Sequence, residues 1–195
     1  MTPAGIDPEF YYFVPDAERQ ALIRKWNLGE RTLNILFVGR FYEKKGLPLI
    51  GAVAAACPEI RFTLVGQGPI DASQWGLPNV TILPYVETAE LRELYGCHDL
   101  FIMPSFGEGW PAVAPQAMAC GLTCLVSPET FDGYGQDPDR FIICPRDTEA
   151  LVEELRRRAA SRASLLSRRE DHSRYALTQW SWVNTARLYL SMFEE

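Results

Sequence analysis

No apolar run in this chain approaches the ~18–20 residues that a membrane-spanning helix needs, which excludes such a span. The opening, Met1-Thr2-Pro3-Ala4-Gly5, has neither the basic nor the apolar region of a signal peptide. Histidine is scarce: His98 and His172 are the only two. The five cysteines (Cys57, Cys97, Cys120, Cys124, Cys144) contain no Cys-x-x-Cys pair, so no zinc spacing exists and no metal site is expected. An odd set without a disulfide framework reads as free, buried thiols in a reducing cytoplasm. Positive charge is in deficit, 19 Lys and Arg against 25 Asp and Glu for a net charge of −6. No global field gathers nucleic acid, and such a partner is not expected, although local basic groups can still hold a phosphate. Repeats, low-complexity tracts and an interdomain linker are missing too. What remains, 195 residues with 47% hydrophobic and 23% charged side chains, has the composition of a soluble globular chain and the length for a single domain around one core.

Within that chain, short apolar runs alternate with helical patterns. Residues 33–38, 61–65, 80–83, 100–103, 123–126 and 141–144 read as strands. Helices are expected over residues 16–26, with Asp16 as a capping-type acid, and over 46–56, 88–95 and 112–120. Asp147 or Thr148 caps a further helix through Arg158, with Glu153–Arg157 and Glu154–Arg158 spaced i, i+4, and Ser181 caps a last one over residues 181–193. The alternation predicts an α/β fold: a Rossmann-like, doubly wound parallel sheet with right-handed crossovers and C-terminal helices. Residues 1–32 form an entry segment and helix, 33–145 the βα core and 146–195 the C-terminal helices. Phe10-Tyr11-Tyr12-Phe13 is too aromatic for water and packs either on this domain or on an absent partner. Arg156, Arg157, Arg158, Arg162, Arg168 and Arg169 form the one basic region, read as a solvated helical face or as a contact with anionic lipid heads. Trp182, Leu188, Leu190, Met192 and Phe193 give the last segment more apolar surface than an exposed tail should carry.

Three strand ends carry loop chemistry, and in a parallel sheet such loops share the carboxyl edge where ligands bind. Gly39, Arg40 and Lys45 follow the first strand, Gly66, Gly68 and Pro69 the second, and Glu108 and Gly109 the strand ending at Met103. Arginine offers a planar fork and lysine a mobile point charge, a combination suited to a diphosphate. The alternative is that Arg40 and Lys45 pair with Glu43 or another surface acid. Pro111 suits the first turn of the helix that follows, whose N–H groups favour an anion. Glu108, between two glycines, either accepts hydrogen bonds from sugar hydroxyls or organises its own loop. Gln116, eight residues on, can reach a ribose from the same side. Gly66-Gln67-Gly68-Pro69 lacks the third glycine of a dinucleotide fingerprint, which disfavours NAD. His98 adjoins strand residues and reads as structural.

Several of these segments resemble, in order, the nucleotide-sugar-binding C-terminal half of a retaining glycosyltransferase of GT-B architecture, family 4 type. They are PAGIDPEF (3–10), FVGRFYEKKG (37–46), LVGQGP (64–69), LPYVETAELRELYGCHDLFIMPS (83–105), EGWPAVAPQAMACG (108–121) and WSW (180–182). The resemblance covers nearly the whole chain. It implies that Arg40 and Lys45 hold the donor pyrophosphate and stabilise the departing nucleoside diphosphate without a required metal or cofactor. It further implies that Glu108 bonds the sugar, that backbone N–H groups of Gly109, Trp110, Ala112 and Val113 contact sugar and phosphate, and that Gly66, Gly68, Tyr85 and Val86 line the base pocket, with Gly39 also among the donor-binding residues. The donor would be a UDP-, GDP- or ADP-sugar, and the sugar would pass to an acceptor hydroxyl in surface polysaccharide or glycolipid synthesis. Gln116 stands where the family pattern has a second glutamate, and Pro111 where it has glycine. The family pairs this half with an N-terminal acceptor domain that is absent here. A nucleotide-sugar epimerase of the same architecture and a non-catalytic nucleotide-sugar-binding module are the alternative readings.

Overall fold

The computed structural model describes residues 5–108, 110–135 and 137–192. Gly109, Phe193 and residues 1–4 of the opening segment lie outside the described residues. The elements, in chain order, are α1 (Asp16–Lys25), β1 (Asn34–Val38), α2 (Leu47–Ala56), β2 (Arg61–Val65), β3 (Val80–Leu83), α3 (Thr88–Cys97), β4 (Leu100–Met103), α4 (Val113–Ala119), β5 (Thr123–Val126), α5 (Pro128–Gly133), β6 (Phe141–Ile143), α6 (Thr148–Ala160), α7 (Arg162–Ser167), α8 (Arg169–Trp180) and α9 (Trp182–Ser191). Short 3-10 turns occupy Glu43–Lys45 and Ala72–Trp75. None of the described helices is long and apolar enough to cross a membrane.

The strands pair parallel throughout, in the order β3-β2-β1-β4-β5-β6. Continuous apolar runs suit this sheet because helices cover both of its faces. Ile35, Phe37, Leu100 and Ile102 pack with Leu47, Ile50 and Val53 of α2 and Leu151 and Leu155 of α6. Leu36, Phe101, Met103, Cys124 and Val126 pack on the other face with Leu94 and Tyr95 of α3, Ala114 and Met118 of α4 and Ala176 of α8. β1 has β2 on one side and β4 on the other, so the strand order reverses there. In a doubly wound sheet that switch point is where ligands bind, and the loops leaving β1 and β4 lie side by side there.

Several boundaries differ from expectation. The N-cap of α1 is Pro15, and Asp16 lies in the first helical turn without capping it. α4 begins at Val113 after an Ala112 cap, so Pro111 precedes the helix instead of occupying its first turn. α3 runs two residues further, to Cys97, and β6 stops before Cys144. α5 was not among the predicted elements. Asp147 does cap α6, accepting from Ala150 N–H at 2.9 Å, and Ser181 caps α9. Glu154 takes both Arg157 and Arg158, where two separate pairs were expected. Nor are the arginines one solvated face: Arg162 and Arg169 are 16% and 4% exposed at the side chain and pair with Asp99 and Asp16, while Arg156 pairs with Glu59. The aromatic quartet packs on this domain: Tyr11 is buried 6.2 Å from the Tyr95 ring, and Arg92 and Arg169 cover Tyr12 and Phe13.

At the amino edge of the sheet, buried Asp99 accepts from Arg19 at 2.5 Å, from Arg162 twice at 2.9 Å and from Asn34 N–H at 2.8 Å. His98 beside it is fully enclosed. Its Nδ1 lies 2.7 Å from Leu94 O, which can only accept, so Nδ1 carries the proton and Nε2 accepts from the Thr63 hydroxyl at 2.8 Å. Burial pushes the imidazole down to about 4. His98 is structural, at the edge opposite the loops. All five cysteines are buried and free.

Candidate functional site

The loop leaving β1 runs beside the loop leaving β2. Gly39 N–H donates to Val65 O and Phe41 N–H to Gln67 O, each at 3.0 Å. The approach is too close for a side chain: a Cβ on Gly66, at φ +139°, would lie 1.9 Å from Gly39 O. A Cβ on Gly68 would lie 2.5 Å from Phe41 O, so Gly68 supports the first loop from beneath. Gly39, Arg40, Gly66, Tyr85 and Val86 line one groove of about 300 Å³, together with Val38 and Val65. Tyr85 is 73% exposed, while Val86 packs against the core. Gly68 does not line this groove.

Arg40 also borders a second, wider groove of about 760 Å³, lined with Tyr42, Glu43, Lys44, Lys45, Pro69 and Ile70. Its guanidinium donates to the Tyr42 hydroxyl and lies 4.6 Å from the centre of that ring. Neither Arg40 nor Lys45 pairs with Glu43 among the described residues.

The 3-10 turn bearing Lys45 ends on Gly46 at φ +76°, where a Cβ would meet Pro104 Cγ at 2.6 Å. That contact seats the first loop against the end of β4, and Phe106 N–H donates to Lys44 O at 2.8 Å across the seam. Here Lys45 Nζ and Glu108 Oε1 form an ion pair, with side chains 27% and 19% exposed. Glu108 Oε2 is buried with no hydrogen-bond partner among the described residues. Ser105 Oγ, three residues earlier, is in the same condition. Thr130 Oγ1 donates to the Glu108 carbonyl at 3.0 Å, and the Tyr134 hydroxyl donates to Pro111 O. Burial pushes the Tyr134 phenol well above its ordinary value, so it remains a donor.

The remaining candidates sit deeper. The Trp110 indole turns into the core, 5.3 Å from the Tyr134 ring and 6.1 Å from that of Trp180. Ala112 and Val113 are half-buried at the start of α4, and Gln116 is half-buried one turn in, its N–H given to Ala112 O at 3.1 Å. None of these four lines either groove. The structure thus joins Lys45 to Glu108, groups Arg40 with Gly39, Gly66, Tyr85 and Val86, and links the two sets through Arg40. Sequence reasoning missed Tyr42, Thr130 and Tyr134. The Ser127-Pro128 start, a cap followed by proline, could have announced α5 and with it Thr130; nothing local marks Tyr134.

Comparison with known proteins fits this geometry. Residues 32–161 match a family model described as Glycosyl transferases group 1. Sulfoquinovosyl transferase SQD2 of Arabidopsis thaliana is 29% identical over 131 residues, covering 63% of this chain and 26% of that protein. HepE of Anabaena, solved in complex with UDP-glucose, superposes with a TM-score of 0.81 at 16% identity, over 97% of this chain and 56% of its own. The C-terminal domain of the glycosyl transferase group 1 family protein LpcC from Francisella tularensis gives 0.73 at 17% identity, over 90% of this chain and 97% of that one. The chain spans from about a quarter to somewhat under half the length of the curated relatives it matches. It belongs to the glycosyl transferases group 1 family, and its fold is the Rossmann-like C-terminal half of a GT-B glycosyltransferase.

Proposed function

We propose that this chain is the donor-binding half of a retaining glycosyltransferase. It binds a nucleoside-diphosphate sugar of UDP, GDP or ADP type, and the whole enzyme transfers the sugar to an acceptor hydroxyl in surface polysaccharide or glycolipid synthesis in the cytoplasm. The observation that carries the reading is the Lys45–Glu108 pair at the sheet's switch point, with Oε2 of the glutamate left unpartnered. An arriving diphosphate competes with Glu108 for Lys45 and takes the Arg40 fork as well. Glu108, released from Lys45, accepts from a sugar hydroxyl, and the groove along Gly39, Gly66, Tyr85 and Val86 takes the base. Gly109, Trp110, Ala112 and Val113 offer backbone N–H groups to sugar and phosphate, and Gln116 approaches the ribose. As the anomeric bond breaks, charge grows on the departing diphosphate, where two cations already stand; no metal is required. The UDP-glucose seen in HepE supports this choice of ligand.

Transfer needs both walls of a closed cleft, so this half alone binds donor without fast turnover. The missing acceptor-binding half is the partner. α9 leaves Trp182, Val183, Leu190 and Met192 more than half exposed, a surface suited to that half. The test is a thermal-shift and calorimetric screen of UDP, GDP, ADP and their glucose derivatives against the 195-residue chain. One nucleotide series should raise the melting temperature as RT ln(1 + [L]/Kd) dictates, and Arg40→Ala or Lys45→Ala should remove most of the rise. A melting temperature indifferent to all of them would refute the reading.

A further inference from the structure

A separate cavity of about 370 Å³ lies between the edge strand β6 and helices α6, α7 and α8. Its lining runs along the whole of β6, Phe141 to Ile143, and includes Thr123 at the start of β5, but no residue of the loops that leave β1, β2 and β4. Four guanidiniums reach its wall, from Arg140, Arg157, Arg158 and Arg168, against the carboxylates of Asp139 and Glu154. In a chain of net charge −6 this is a local inversion of sign. The acids nearby are shared. Glu154 alone receives both Arg157 and Arg158. Arg140 pairs with Asp171, which Arg174 also approaches at 3.6 Å, while its Nε lies 3.8 Å from Asp137 without a hydrogen bond. Among the described residues Arg168 has no carboxylate partner and donates only to the carbonyl of Asp139. His172 also lines the cavity and is 0% exposed. Its Nδ1 lies 3.4 Å from Thr123 Oγ1, and its Nε2 has no hydrogen-bond partner among the described residues. A buried polar atom left unpaired is costly, and at this cavity the His172 ring nitrogen and Arg140 Nε are both in that condition, whereas His98 has both ring nitrogens satisfied.

We propose that this cavity is a binding site for a small, free phosphate monoester, its phosphoryl group held by Arg157, Arg158 and Arg168 and its organic part lying against Phe131, Ile142 and Leu165. Guanidinium forks match phosphoryl oxygens in geometry, and the surplus of cations over acids on the wall is answered by a dianion. The volume is that of a small-molecule pocket. The site is independent of the donor-binding reading, since it shares no residue with either loop groove.

Two histidines make the test direct, because the ring C–H region of a proton NMR spectrum then reports His172 with His98 as an internal reference. Glycerol 2-phosphate is titrated into the 195-residue chain, with sodium chloride at matched ionic strength as the control. The His172 signals are expected to move saturably while those of His98 stay in place. Arg168→Gln should weaken the apparent affinity about tenfold or more, and Lys45→Ala should leave it unchanged. Arg157, 64% exposed at the side chain, supplies a second variant, Arg157→Gln, that keeps the fold if Arg168→Gln does not. The proposal is overturned if His172 does not respond at about 10 mM ligand, if chloride moves it equally, or if both arginine variants bind as the parent does. Loss of the response in Lys45→Ala would assign the phosphate to the loop grooves and overturn it as well.

Discussion

On the proposed donor-site reading the Lys45–Glu108 ion pair competes with ligand at both residues, and this sets the sign of a substitution. In Glu108→Gln the ammonium no longer has a carboxylate to leave, so a bare nucleoside diphosphate should bind two- to fivefold tighter, roughly the 0.5–1 kcal/mol of a partly exposed pair. The same variant loses a charged acceptor for the sugar, so the extra affinity of the nucleotide sugar over the diphosphate should shrink about tenfold. Calorimetry with both ligands on both proteins reads the two effects separately, and parallel changes would contradict the assignment. Arg40, Lys45 and Glu108 were legible as residue types in glycine-bounded loops; that Lys45 would meet Glu108, 63 positions away, was not. The two histidines carry a second prediction. Burial lowers both imidazoles to about 4, so the folded chain holds them neutral while the unfolded chain protonates them below about pH 6.5. Their contribution to stability is therefore complete above pH 6.5 and falls by about 1.4 kcal/mol per pH unit per imidazole down to about pH 4. Urea unfolding at pH 7.5, 5.5 and 4.5 checks this, and a midpoint that stays constant from pH 7.5 to 4.5 would contradict it.

At the scale of elements, strands and helices followed closely from apolar runs of strand length and from their glycine and proline stops. The misjudged ends share a cause. Pro111 fits a first helical turn by its own geometry, yet Ala112 is the N-cap and α4 starts two residues later, at Val113. Asp16 would cap α1 by type, but the chain is extended at Pro15 and the helix opens there. The loop between β2 and β3 carries the sharpest constraint, because Gly66 lets β1's loop lie against it. Gly66→Ala should cost about 3 kcal/mol or more, from the positive φ and a Cβ 1.9 Å from Gly39 O, and should also weaken nucleotide binding by displacing Arg40. Gly76 is also at positive φ but has nothing within 4 Å of a Cβ, so Gly76→Ala carries the strain without the clash and should cost about 1 kcal/mol. Urea midpoints of the two variants, compared side by side, separate backbone strain from steric overlap.

For the whole molecule, the exposed apolar side chains of α9, Val183, Leu188 and Leu190 among them, are the feature that a second half would change. Leu190 is 63% exposed, so Leu190→Glu should shift the stability of this chain by no more than about 0.5 kcal/mol. In the proposed two-domain enzyme the same change should lower transfer activity; equal activity would remove α9 from the interface. The α9 start lies beside the entry segment, where Ile6 N–H donates to Trp180 O at 2.7 Å and Trp182 N–H to Ile6 O at 3.0 Å. Such pairings, like the strand order, join positions far apart in the chain. Local side-chain periodicity and the chemistry of single residues were enough to determine a parallel α/β sheet, free thiols and a set of cationic and acidic loop residues, because each depends on neighbours only a few positions away. Which loops became adjacent, that Lys45 is paired with Glu108, and that Arg140 joins Arg157, Arg158 and Arg168 of the helical end around one cavity were decided by the tertiary structure alone. Contacts of that kind are set by the reversal of strand order at β1 and by the packing of α6, α7 and α8 on the sheet edge, and no local pattern encodes them.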